Sequence, residues 1–275
     1  MNKSRIPYLT HVWNPTRGCT HSGTPGCDFC WARRMHERFS DRPFSEVTLH
    51  PDRLEEPLRR KKPARIGVCF SADLFHEAVP DEFVDRVFAV MALCPQHTFV
   101  LLTKRPKRMQ IFMNSMCRVP VATRPPDNIW FGTSVEDQPT ADERLPWLLK
   151  TPAALRWVSL EPLIGPVERL ELEGIHWAVV GGESGPKARP MHPDWARSTR
   201  AQCVAAGVPF YFKQWGEWAP GAHHKNRITR GSRTRIVSPY NGENNALAKN
   251  CAVMVHVGKR AAGRLLDGRE WQEQP

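Results

Sequence analysis

Ile66-Gly67-Val68-Cys69-Phe70 is apolar on both faces and runs straight into Ser71-Ala72-Asp73. A strand buried on both sides belongs in a parallel sheet covered by helices. A polar group at the end of such a strand belongs on the rim where parallel α/β folds bind ligands. The pattern recurs along the chain. Thr98-Phe99-Val100-Leu101-Leu102 precedes Thr103-Lys104-Arg105, and Asn128-Ile129-Trp130-Phe131-Gly132 precedes Ser134 and Glu136. Leu155-Arg156-Trp157-Val158-Ser159-Leu160 precedes Glu161. His176-Trp177-Ala178-Val179-Val180 precedes Gly181-Gly182-Glu183-Ser184, and Val208-Pro209-Phe210-Tyr211-Phe212 precedes Lys213-Gln214. A first strand is expected over His11-Val12-Trp13.

Helices are expected between the strands. Asp81 can cap one whose apolar positions Phe83, Val84, Val87, Phe88 and Met91 follow helical spacing. Asp194 can cap a second that runs towards Gly207, and a third is expected from Asp142 to Leu149 around Pro146. Alternating strands and helices imply right-handed βα units. The expected fold class is therefore α/β, a complete or partial (β/α) TIM-like barrel of about seven parallel strands. An open doubly wound sheet is the alternative. One domain over 1–275 is expected, with a basic flexible loop or insertion at 219–245 and a closing element at 246–275. The basic stretch, His223 to Arg235, holds Lys225, Arg227, Arg230, Arg233 and Arg235 and suits either a solvated loop or a phosphate-contacting arm.

No apolar stretch approaches the ~20 residues that span a bilayer, and Met1-Asn2-Lys3-Ser4-Arg5 leads into no signal-like run. A cytoplasmic protein without membrane partners is expected. A net charge of +11 favours polyanionic partners, nucleic acid or phosphorylated substrates.

Cys19, Cys27 and Cys30 are spaced C-x7-C-x2-C. Three clustered thiolates suit a metal that takes soft sulfur ligands and keeps one coordination position open, whereas structural sites close their shell with a fourth ligand. Two metals fit the residues: an iron–sulfur cluster, or zinc completed by His21 or His36. The remaining cysteines, Cys69, Cys94, Cys117, Cys203 and Cys251, are scattered. Cys69 and Cys203 read as small buried side chains.

Phe29 before the last cysteine resembles the C-x3-C-x-aromatic-C pattern of the radical S-adenosylmethionine (SAM) superfamily, with a wider first gap. The resemblance implies a [4Fe–4S] cluster on Cys19, Cys27 and Cys30 whose open iron binds SAM to yield a 5′-deoxyadenosyl radical. Asp73, Thr103, Ser134, Glu136, Gly181, Gly182 and Glu183 are then candidates to line the SAM and substrate pocket. Lys104, Glu161 and Lys213 are the catalytic candidates, the lysines suited to a carboxylate or phosphate. The two glycines of Gly181-Gly182-Glu183 would let a ligand approach the backbone. A tight structural turn explains them nearly as well. Radical SAM enzymes normally carry a GGE-like run after the second strand. Here it follows the sixth, and Asp73 follows the second. Trp13 and Trp215 are placed to stack a base or to pack as lids.

As a set, the motifs are similar to those of the phage Gp37/Gp68-like, three-Cys-motif proteins. They run through Trp13-Asn14-Pro15, Gly18-Cys19, Pro25-Gly26-Cys27, Ser71 to His76, Leu102 to Pro106, Ser134-Val135-Glu136, Glu161-Pro162-Leu163, Gly181 to Gly185, Phe212 to Gly216, and Gly258-Lys259 to Trp271. Ile6-Pro7-Tyr8-Leu9-Thr10 departs from the acidic stretch common there. The resemblance implies a radical-SAM-like enzyme of phage or bacterial context, an external electron donor and a separately encoded three-Cys-motif partner protein. Nucleic acid or nucleotide modification is the expected reaction. The alternative is a non-catalytic zinc-containing nucleic-acid-binding protein.

Overall fold

The computed structural model describes residues 1–116, 126–222, 232–240 and 250–275. Cys117 and most of the basic stretch lie outside them. The strands are β1 (Asn2–Lys3), β2 (His11–Trp13), β3 (Thr16–Arg17), β4 (Thr48–Leu49), β5 (Arg65–Val68), β6 (Thr98–Leu101) and β7 (Ile129–Ser134). They continue with β8 (Leu155–Leu160), β9 (Trp177–Gly181), β10 (Phe210–Gln214), β11 (Trp218–Pro220), β12 (Thr234–Val237) and β13 (Ala252–His256). The helices are α1 (Trp31–Phe39), α2 (Asp81–Ala92), α3 (Pro106–Met116), α4 (Gln138–Leu149), α5 (Pro193–Ala205) and α6 (Lys259–Ala262).

The main sheet has eight strands in the order β1-β2-β5-β6-β7-β8-β9-β10. The seven from β2 onward, without β3 and β4, are the expected ones, and their sequential order is that of a partial (β/α) barrel. β1 is an antiparallel addition on β2, too short at two residues to leave a pattern in the sequence. No helix among the described residues is long and apolar enough to cross a membrane.

Contacts divide the chain into two compact units, 1–134 with 144–157, and 135–143 with 158–275. In the first, Trp13 pairs with Val68 and Val68 with Leu101, so three parallel strands end level. The chain leaving each of them is therefore delivered to one edge. The helix α2 buries Phe83, Val84, Val87, Phe88 and Met91. Phe88 contacts Phe75, Phe112 and Phe131 with ring centroids 6.4, 5.5 and 6.0 Å apart. Each such ring contributes roughly 1.5–3 kcal/mol by burial. Trp157 is fully buried and fills the space a side chain at Gly132 would need, its indole N–H donating to the Leu101 carbonyl at 3.0 Å.

In the second unit β9 and β10 are parallel, and the register slips between Phe212 and Gln214. Lys213 is the extra residue. Bulges of this kind re-aim a side chain at a strand end. The strands β11-β13-β12 form a separate antiparallel sheet. Part of the basic stretch, Arg235, therefore lies on a strand, β12.

Three helix starts differ from the sequence expectation. The helix α4 begins at Gln138 rather than Asp142. Pro80, not Asp81, is the N-cap of α2, and Asp81 and Glu82 lie in its first turn, where carboxylates favour the helix dipole. His192, not Asp194, caps α5: its Nδ1 accepts the Asp194 N–H at 3.1 Å, and its Nε2 donates to the Asn250 carbonyl at 3.0 Å. Only the neutral ring can do both. Burial lowers the His192 pKa, with Arg197 adding to it against Asn250 and Asp194. The unfolded chain thus takes up the proton first as pH falls through the ordinary value of about 6.5. The cap's contribution should be present above about pH 6.5 and lost as pH falls below it, at ~1 kcal/mol and about 2–4 °C in Tm. Thermal melts of wild type against His192→Asn, which caps without titrating, should show that part of the pH dependence flattened.

Candidate functional site

The cysteine segment begins at a position only glycine can occupy. Gly18 has φ +81°, and a Cβ there would sit 2.3 Å from the Glu46 carbonyl oxygen. The turn it makes leaves the Cys19 N–H donating to the Phe44 carbonyl at 2.8 Å. A 3-10 turn over Pro25–Cys27 follows, and Cys30 is the N-cap of α1. Cys27 is buried, while Cys19 and Cys30 are half-buried.

Cationic groups from later strands and helices meet this segment. Arg105 lies just beyond β6 with its side chain 10% exposed. It donates to Asp73 Oδ2 at 3.2 Å, to Thr20 Oγ1 at 3.1 Å, to both Glu77 carboxylate oxygens and to Cys19 Sγ at 3.6 Å. Burial disfavours its charged form, but Asp73, Cys19 and Glu77 outweigh that and raise its pKa. Burial also lowers the Lys104 pKa, while the Cys27 and Cys30 thiols act to raise it. Arg144, on α4, is 1% exposed and donates to the Ser134 carbonyl and to Thr24 Oγ1, both at 2.9 Å.

These charges separate the thiols. Burial raises the Cys19 thiol, and Asp73 adds to it, to about 11 despite Arg105. Burial pushes Cys27 up as well, but Lys104, the Ser22 hydroxyl and Arg144 more than reverse it, leaving the thiol below its ordinary value. Cys19 and Cys27 also interact with each other. The three sulfurs, Lys104 and Arg105 thus form one electrostatic cluster in the first unit.

Asp73 organises that cluster. It is 5% exposed, and its Oδ1 accepts from Thr103 Oγ1 at 2.7 Å and from the Phe75 N–H at 3.0 Å. Its Oδ2 accepts from the Lys104 N–H at 3.0 Å as well as from Arg105. The carboxylate ties the ends of β5 and β6 together. His76 extends the network: its Nδ1 accepts from the Ala78 N–H at 3.0 Å, and its Nε2 lies 2.8 Å from Thr20 Oγ1. Thr103, just beyond β6, and Ser134, at the end of β7, are both buried.

Neither histidine proposed for zinc is presented to the sulfurs as a free ring. His21 accepts the Gly23 N–H through Nδ1 and bonds Asp28 through Nε2, both at 3.0 Å. His36 Nε2 donates to the Arg42 carbonyl at 2.9 Å. Among the described residues, no three His, Cys, Asp or Glu side chains are drawn together closely enough to hold a single metal ion.

The second unit assembles a different group. Lys213 Nζ donates to Glu161 Oε2 at 2.7 Å, and Gln214 Nε2 donates to Glu161 Oε1 at 3.2 Å. Gly181 lies against the same glutamate, where a Cβ would come within 3.1 Å of Glu161 Oε1. The space beside Gly182 is filled by the chain rather than a ligand: a Cβ there would lie 2.0 Å from the Trp215 carbonyl oxygen. Glu183 is clamped by Arg189, whose backbone N–H, Nε and Nη2 donate to it at 2.8, 2.9 and 2.7 Å. Glu136 is fully buried, and its N–H donates to Thr140 Oγ1 at 2.8 Å.

Trp13 and Trp215 are packing groups, 0% and 1% exposed, with indole N–H groups donating to the Arg53 and Leu265 carbonyls. Arg144, His76, Thr20 and Arg189 were not legible as site residues. An arginine in a mixed polar helix reads as solvent-facing, and nothing in the order of residues says which charge it meets.

Residues 3–275 match the family described as Protein of unknown function (DUF5131), and the chain belongs to it. A search of the curated proteins found no match. Two solved structures show a weak likeness. One is a cysteine-to-serine mutant of spore photoproduct lyase, at 12% identity and TM-score 0.47, covering 93% of this chain and 70% of that one. The other is a double mutant of the same lyase with bound AdoMet and dinucleoside spore photoproduct, at 10% identity and TM-score 0.49, covering 97% and 74%.

Proposed function

We propose that this member of the DUF5131 family is a radical SAM-like iron–sulfur enzyme acting on a nucleic acid or nucleotide. The observation that carries the reading is the set of cations, Lys104, Arg105 and Arg144, turned towards a three-cysteine segment in the first unit. Three thiolates on one site are tolerated only with compensating positive charge, worth on the order of 4 kcal/mol per close pair at an effective dielectric of 20. Three thiolates without a fourth protein ligand suit a cluster with one open iron, and His21 already engages both ring nitrogens.

Cys19, Cys27 and Cys30 would hold the [4Fe–4S] cluster, which together with SAM supplies a 5′-deoxyadenosyl radical. Arg105 orients Cys19, and Asp73 orients Arg105. Lys104 favours the Cys27 thiolate. The catalytic roles assigned to Glu161 and Lys213 rest on their direct contact at strand ends, Nζ donating to Oε2 at 2.7 Å, where the pair can receive a polar or anionic group. An external electron donor and a separately encoded partner belong to the same proposal.

Anaerobic purification followed by iron, sulfide and zinc analysis tests it, with 5′-deoxyadenosine assayed after incubation with SAM and dithionite. Roughly four irons per chain and 5′-deoxyadenosine formation are expected. Stoichiometric zinc without iron would overturn the reading.

A further inference from the structure

The first helix after the cysteines points its apolar residues outward. In α1 only Ala32 is buried. Trp31, Met35 and Phe39 recur every fourth residue, which places them in one stripe, and they are 47%, 43% and 73% exposed. Arg34 and Arg38, also exposed, lie along the edge of that stripe, and the Arg38 guanidinium sits 5.4 Å over the Phe39 ring. The helix's one acid, Glu37, lies off this arc. Exposed aromatic rings cost free energy unless something covers them.

We infer that this face of α1 binds single-stranded nucleic acid, with bases stacking on Trp31 and Phe39 and phosphates meeting Arg34 and Arg38. The charge fits, on the helix and on a chain of net charge +11. The area also selects the occupant. A helix of nine residues, about 13 Å long and about 10 Å wide, offers a face of roughly 130 Å², far short of the ~800 Å² per partner that a stable protein interface buries. A membrane-lying helix buries a broad apolar face with its basic residues opposite, whereas here the apolar stripe is only Trp31, Met35 and Phe39, with Arg34 and Arg38 along its edge. Single strands need only a few stacking and phosphate contacts, and every base has a face to stack. Cys30 caps this helix, so a strand held here lies beside the candidate cluster. The inference deepens the substrate class of the reading above. It rests on that reading for the purpose of binding, not for binding itself.

Fluorescence anisotropy with labelled oligo-dT and oligo-rU of about twelve nucleotides tests it on the full chain. The double variant Trp31→Ala/Phe39→Ala should weaken binding about thirtyfold or more. Arg34→Gln/Arg38→Gln should reduce the salt slope by about 1.4. Preference between the two oligonucleotides identifies DNA or RNA. Should the double aromatic variant not fold, Phe39→Ser, at the most exposed position, should still weaken binding. Unchanged affinity in folded aromatic variants overturns the inference. So does a wild-type protein that binds polyglutamate but neither oligonucleotide, which would point to an acidic protein partner. Iron measured on the same samples keeps the readings apart: binding without iron sinks only the radical chemistry.

Discussion

Cys27→Ala should purify without iron and leave SAM uncleaved. Cys27 is the most enclosed of the three thiols, 8% exposed, with Ser22 Oγ 3.1 Å from its sulfur. Burial opposes its ionisation, and Lys104, Ser22 and Arg144 overcome that opposition. A metal binds the thiolate, not the thiol, so of the three proposed ligands Cys27 is the one whose surroundings favour the binding form most. A cluster held by three sulfurs has no spare ligand, and iron should fall from about four per chain to a trace. Cys203→Ala is the control. That thiol is buried on α5 and pushed up to about 12 by burial and by Glu273, as befits an inert packing group. Iron and 5′-deoxyadenosine should survive there. Full iron loading and SAM cleavage in Cys27→Ala would show that the cysteine segment is not the metal site.

Gly182→Ala should strongly destabilise the second unit. The added Cβ would fall 2.0 Å from the Trp215 carbonyl oxygen, 2.6 Å from its carbon and 3.2 Å from the Gly216 nitrogen. All three are backbone atoms, so no side chain can swing aside. The crossing is reciprocal: a Cβ at Gly216, where φ is +85°, would meet the Glu183 carbonyl oxygen at 2.1 Å. Hydrogen bonds pin both segments. The Gly182 N–H donates to the Gln214 carbonyl at 2.9 Å, and the Glu217 N–H to the Glu183 carbonyl at 3.1 Å. Relieving the clash means parting two strand ends beside Lys213 and Glu161. A loss of about 4 kcal/mol is expected, on the order of 10 °C in Tm, or no soluble protein. Gly23→Ala, with nothing within 4 Å of its Cβ, should lose only the cost of a left-handed backbone, about 1–2 kcal/mol. Thermal melts of the two variants decide it. Near-equal shifts would mean that the backbones do not cross as described.

What was legible and what was not divides along physical lines. The strands β2 and β5–β10 could be read because burial on both faces leaves a continuous apolar run, and a strand end leaves a polar one. The helix caps could not, because His192 caps through a ring nitrogen and Pro80 through backbone alone. The α1 helix was missed for the opposite reason: with one buried residue, it has little of the inward periodicity by which helices are recognised. Gly181-Gly182-Glu183 reads in sequence as a ligand approach or a tight turn, and in the fold the space beside Gly182 is taken by the chain itself at Trp215. Glu183 meets Arg189, six residues on, a pairing that needed the loop between them.

The parallel α/β pattern and the three thiols with metal-ligand spacing follow from the sequence alone, because burial and soft-ligand chemistry are properties of short stretches of residues. The counter-charges do not. Cys19 meets Arg105 across 86 residues and Thr24 meets Arg144 across 120. Coulomb forces act through space and ignore chain order, so which cation faces which sulfur was decided only when the strand ends came level and the tertiary structure brought those groups together.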